Sequence, residues 1–167
     1  MSSKESSDGN IDRFDRAIMR ELQANARITL TELASRVGLT KTPCQLRVKR
    51  LEKEGYILGY SALISRSRLG ESHVAFVQVK LEDTRTPALT AFNEAAREVR
   101  EIEECHMMAA GFDYLLKVRT RDMVAYRRVL GEVISALPHV SQTSTFVVME
   151  AVKEVADRFA DRAPRSL

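Results

Sequence analysis

A chain of 167 residues that is 44% hydrophobic and 29% charged suits one ordinary domain or two small ones, and holds too much apolar material to be wholly disordered. Its net charge of +3 is modest, and no apolar run approaches the roughly 18 residues of a membrane span. The polar stretch Met1 to Asn10 lacks the apolar centre of a secretory signal, and Cys44 and Cys105 lack the spacing of a zinc site or disulfide framework. A cytoplasmic protein with two reduced thiols, no metal and no membrane association is expected.

Ile11, Phe14, Ile18 and Leu22 recur three and four apart and predict a first helix over about 12–24. After the break at Asn25-Ala26-Arg27, Leu33, Ala34 and Val37 predict a short second helix closed by Gly38. Thr40 and Thr42 are candidate caps for a third helix, Pro43 fitting its first position if Thr42 caps. That helix carries Cys44, Val48 and Leu51 on one face and stops at Gly55. Two helices joined by a tight glycine turn, the second basic, form the helix-turn-helix pattern. Residues 56–62 are β-prone and predict a wing or an exit strand, and Ser65 to Gly70 lies in a linker.

The second half changes period. His73 to Leu81 alternates as a strand, and Thr86-Pro87 opens a helix striped by Leu89, Phe92, Ala96 and Val99. Strands over 102–109 and 114–120 flank the turn Ala110-Gly111-Phe112-Asp113. Asp122 then caps a helix striped by Tyr126, Val129, Leu130, Val133 and Leu137 that Pro138 ends, and 140–149 is the last strand. The order βαββαβ is the ferredoxin-like plait, so the expected class is α+β, a three-helix winged helix-turn-helix followed by that plait. The predicted divisions are a tail over 1–10, a DNA-binding domain over 11–62, a linker over 63–71, the plait domain over 72–155, and a tail over 156–167. A plait has helices on one face only. Val74, Phe76, Met107 and Phe146 are assigned to the other, which a second copy would cover.

The chain resembles the leucine-responsive regulator/AsnC family over about 11–155. The resemblance rests on Ile11-Asp12-Arg13-Phe14-Asp15, Leu33-Ala34-Ser35-Arg36-Val37-Gly38-Leu39, Thr42-Pro43-Cys44, Arg47-Val48-Lys49-Arg50-Leu51-Glu52, Gly55-Tyr56-Ile57, Glu104-Cys105-His106, Phe112 to Lys117 and Tyr126-Arg127-Arg128. Leu115 to Arg119 and Tyr126 to Gly131 also look like proline-responsive activators of proline dehydrogenase. The resemblance implies homodimers joined through the plait, further assembly to tetramers or octamers, and an amino-acid effector near the loop between the plait's second and third strands. Family members often carry Gly-Asp-x-Asp in that loop. Here it is Ala110-Gly111-Phe112-Asp113, and the first acid is absent.

With Cys44, Val48 and Leu51 inward, the third helix turns Thr42, Lys49, Arg50 and Lys53 outward, with Gln45 and Arg47 on its flanks. Double-stranded DNA is the expected partner. Gln45 has the amide geometry for adenine and Arg47 or Arg50 the fork for guanine, each good pair worth about 1–3 kcal/mol of discrimination. Thr40, Lys41 and Thr42 near the helix start suit phosphate. For the effector the candidate residues are Met107, Ala110, Gly111, Phe112, Asp113, Thr143 and Thr145, Asp113 taking the ammonium and backbone amides the carboxylate. Cys105 and His106 are adjacent in a strand and point to opposite faces, so they do not pair as nucleophile and base. With no phosphate loop or nucleophile elbow, an enzyme is disfavoured and no cofactor is expected. The alternative is a ligand-independent, nucleoid-type architectural DNA-binding protein.

Overall fold

The computed structural model describes residues 11–154; the two predicted tails, 1–10 and 156–167, lie outside them. The chain divides into two compact units between Ala62 and Leu63.

The first unit is helical: α1 (Arg13–Ala24), α2 (Leu30–Val37) and α3 (Lys41–Lys53). Asp12 caps α1, its carboxylate accepting from the amides of Phe14 and Asp15, while the Asp15 carboxylate accepts from the Asp12 amide. This reciprocal box satisfies helix-end donors that would otherwise lack partners. Thr29, just outside the predicted α2 stripe, caps that helix through its hydroxyl. Gly38 closes α2 at φ 73°, a left-handed conformation that glycine adopts without the Cβ clash of other residues. Thr40, not Thr42, occupies the cap position of α3, which puts Pro43 third in the helix, still among the residues whose amides need no helical acceptor. Ile18, Leu33, Ala34, Val37, Cys44 and Leu51 form the core.

Residues 56–62 contain no strand. Among the described residues the first unit contains no strand for them to pair with, and a lone β-prone segment gains nothing from ladder formation. Instead the Tyr60 hydroxyl donates to Glu52 Oε1 at 2.8 Å, tying the segment back to α3.

The second unit opens with a 3-10 turn (Ser67–Leu69) inside the predicted linker. It continues as β1 (His73–Leu81), α4 (Thr86–Glu98), β2 (Ile102–Met107), β3 (Tyr114–Thr120), α5 (Met123–Glu132) and β4 (Val140–Val147). The sheet order is β2-β3-β1-β4, every pair antiparallel. Helix α5 stops at Glu132, before Pro138, because a 3-10 turn at Ile134–Ala136 follows it. Ala75, Val77, Val79, Tyr114, Leu116 and Val118 bury their side chains against Phe92 and Ala96 of α4 and Tyr126 and Val129 of α5.

The register corrects the predicted open face. Phe76 and Phe146 are directly opposed across β1 and β4 and remain 36% and 54% exposed. Val74 shares their side of β1 but is buried. Met107 pairs with Tyr114, a core residue, and therefore lies on the helix side at the β2 edge. Alternation alone could not fix its side, because the ladder shifts by one residue between Ile102 and Glu104.

Candidate nucleic-acid interface and ligand loop

Helix α3 buries Cys44 and Leu51 and exposes Lys41, Thr42, Gln45, Leu46, Lys49 and Lys53. Thr42, Leu46, Lys49 and Lys53 follow at steps of three and four, so they form one outward stripe beside Gln45. Among the described residues no carboxylate pairs with Lys41, Lys49 or Lys53, and the Thr40 side chain makes no capping bond. The helix thus presents unneutralised ammonium groups with an amide and a 64% exposed leucine between them. Such a face suits phosphates and base edges together. Leu46 was not singled out from the sequence. Its signal was there: an apolar residue at an outward position, suited to a thymine methyl.

Arg47 and Arg50, expected as guanine-reading forks, are each engaged in ion pairs within the chain. Arg47 Nη1 lies 2.7 Å from Asp12 Oδ2 and 2.9 Å from Asp15 Oδ1. Arg50 Nη2 lies 2.5 Å from Asp15 Oδ2. Asp15 is fully buried, and its two oxygens each take one arginine of α3. Burial of a carboxylate is tolerated only with such partners. The guanidinium of Arg47 also stacks 5.5 Å from the Phe14 ring centroid. Both arginines therefore hold α3 to α1. Hydrogen bonds from the Asp15 and Phe14 amides and from Arg47 keep the Asp12 carboxyl below its ordinary pKa, although desolvation opposes them.

Cys44 is packing: burial pushes its thiol pKa up, away from reactivity. Cys105 pairs in register with Leu116 on the helix side, whereas His106 Nε2 lies 3.2 Å from Glu104 Oε2. That contact, with Lys117 nearby, holds the Glu104 carboxyl below its usual range.

The predicted effector residues do not converge within one chain. Met107, Tyr114, Val79 and Thr143 lie in one row across the sheet, with Met107 on one edge strand and Thr143 on the other. Three strand spacings separate them, about 14 Å. Thr145 shares an oxygen–oxygen hydrogen bond of 2.6 Å with the Tyr126 hydroxyl beneath α5, so its hydroxyl is already engaged. Asp113 closes its loop: its amide donates to Val79 O, its carbonyl accepts from the Met108 amide, and its Oδ2 accepts from the Leu81 amide at 2.7 Å. Ala110 and Gly111 are exposed and Phe112 is half-buried. A Cβ on Gly111 would meet nothing within 4 Å, so packing inside the chain does not demand glycine there.

Comparison with known proteins bears on both units. A family model described as winged helix-turn-helix DNA-binding matches residues 11–57, and one described as Lrp/AsnC ligand binding domain matches 74–157. Over 145 residues the chain is 58% identical to a proline dehydrogenase transcriptional activator of Rhizobium radiobacter, covering 87% of this chain and 93% of the relative. It is 46% identical over 154 residues to the leucine-responsive regulatory protein of Klebsiella pneumoniae, covering 92% and 94%. A transcriptional regulator of Neisseria meningitidis, solved as a complex with L-Met, superposes with a TM-score of 0.81 at 29% identity, covering 86% of this chain and 92% of that one.

Proposed function

The chain belongs to the Lrp/AsnC family of DNA-binding transcription regulators, and from that membership we propose that it controls genes of amino-acid metabolism in response to an amino acid of the proline or leucine type. The observation that carries the reading is the 58% identity, across nearly the full relative, to an activator of proline dehydrogenase. The regulator acts on double-stranded DNA in the cytoplasm and uses no resident cofactor. The outward stripe of α3, from Lys41 to Lys53, is its contact with the operator. Thr40 and Thr42 take phosphate, and Gln45 reads a base edge.

The effector binds between copies, beside the loop Ala110-Gly111-Phe112-Asp113. The distance between Met107 and Thr143 supports a shared site, since the two lie on opposite edge strands of one chain's sheet. A ligand held there acts by favouring one assembly over another, because it shifts an equilibrium only through unequal affinity for the two states. A thermal-shift screen of the purified protein against the twenty amino acids tests this. Ligand at about 100 times its dissociation constant adds roughly 2.7 kcal/mol to the folded state. A hit that also changes the sedimentation profile supports the reading. No hit at high millimolar concentration rejects it in favour of ligand-independent architectural binding. That second reading draws support from Gly111 standing where relatives often carry an acid, and from the Asp113 carboxylate being spent on Leu81.

The subunits pair through the open sheet face, around the opposed Phe76 and Phe146, and the pairs assemble further to tetramers or octamers. Phe146→Lys should convert the assembly to monomers at micromolar concentration in analytical ultracentrifugation. An unchanged sedimentation coefficient would place the subunit contact elsewhere.

A further inference from the structure

The second unit holds a cleft of about 260 Å³ apart from the loop at Ala110–Asp113. Five arginines line it: Arg66, Arg100, Arg119, Arg121 and Arg128. They come from the segment before β1, the turn after α4, the end of β3 and the second turn of α5, so four separate parts of the chain converge on one concavity. Three carboxylates share the lining, those of Glu71, Glu101 and Glu103, and Glu154 pairs with the lining Arg119, which leaves an excess of one positive charge.

The hydrogen bonds show where that excess sits. Arg119, 10% exposed, is saturated by Glu103 at 2.7 Å, Glu154 at 3.1 Å and the Glu71 carbonyl at 3.3 Å. Arg66 binds Glu71 at 2.9 Å, and Arg100 reaches the same carboxylate at 3.6 Å. Among the described residues Arg121 and Arg128 have no carboxylate partner, and both are exposed. Their guanidinium groups remain available to an incoming anion.

We propose that this cleft binds a phosphate group, with Arg121 and Arg128 as its direct ligands and Arg66 and Arg100 completing the rim. Charge selects phosphate over an amino acid. A phosphate monoester carries about −1.5 to −2 at neutral pH and so answers both unpaired guanidinium groups, whereas a zwitterionic amino acid brings no net charge. The planar guanidinium fork offers two parallel donors to two phosphate oxygens. The group can come from a free phosphorylated molecule or from the DNA backbone. The chemistry is the same, and the experiment separates the sources.

The full-length protein is titrated with pyrophosphate by calorimetry, and its affinity for an operator-bearing duplex is measured across a salt series. Both are repeated with Arg121→Ala/Arg128→Ala, which alters exposed side chains only. Arg127→Ala removes an exposed arginine of the same helix that does not line the cleft, and serves as control for the pyrophosphate titration. A free ligand predicts pyrophosphate binding that weakens at least about tenfold in the double variant and is unchanged in Arg127→Ala. Two backbone contacts predict instead a salt slope smaller by about 2 per protomer in the double variant. If neither quantity changes in the double variant, or if Arg127→Ala weakens pyrophosphate binding as much, the cleft is not a phosphate site.

Discussion

Asp15→Leu is expected to destabilise the helix-turn-helix unit by about 2–3 kcal/mol and to abolish operator binding near the melting temperature of the variant. The Asp15 carboxylate is fully buried and accepts from Arg47 at 2.9 Å, Arg50 at 2.5 Å and the Asp12 amide at 3.1 Å. Removing one partner from a buried ion pair typically costs 3–5 kcal/mol, because the remaining charge is left without compensation. Here the arginine side chains are 28% and 41% exposed, so water solvates them in part and the cost falls to or below the lower end of that range. For a unit of this size the change corresponds to a melting shift on the order of 10 °C. Asp15→Asn keeps an acceptor for the helix cap and should lose less. Arg47→Ala should also act first on stability, and a cycle with Asp15→Ala should show clear non-additivity in urea denaturation. If Asp15→Leu melts within a degree of the parent, the clamp between α1 and α3 is not what holds the recognition helix.

This clamp marks where sequence reasoning stops. Helical periodicity named Ile11, Phe14, Ile18 and Leu22 as one stripe, yet positions 11, 15, 18 and 22 form the tighter seam, and Asp15 occupies the buried place. A hydrophobic pattern has no way to nominate a carboxylate whose partners are two arginines more than thirty residues away. Nor does it show that Arg47 and Arg50, expected to read bases, are held by that carboxylate. Elements with local signals were legible almost to the residue: Asp122 as a cap, Gly38 as a helix end, Tyr114–Thr120 as a strand. Side assignment in the plait held for Phe76 and Phe146 but failed for Met107, because one shifted register inverts every side chain beyond it. The effector residues were chosen along the chain, whereas the sheet order sets β2 and β4 at opposite edges. No pairing of strands can be read from a single strand's composition.

The charges that remain on α3 after Arg47 and Arg50 are withdrawn lead to the second expected result. The combined change Lys41→Ala/Lys49→Ala/Lys53→Ala should lower affinity for operator and random duplex alike, by two orders of magnitude or more at about 0.1 M salt. Each ammonium that neutralises a phosphate releases condensed counterions, so losing three contacts should reduce the salt slope by about 3 per bound protomer. None of the three pairs with a carboxylate among the described residues, and all are exposed, so folding should be nearly unaffected. Gln45→Ala and Leu46→Ala should behave oppositely. Each removes a group able to touch a base edge while leaving the charge intact, so operator affinity should fall by about 1–3 kcal/mol with the salt slope and random-duplex affinity unchanged. The two patterns separate backbone positioning from sequence reading on one helix. A triple lysine variant that loses operator affinity but keeps its random-duplex affinity would invert the assignment and make the lysines the readers. An unchanged salt slope would place the DNA against another surface.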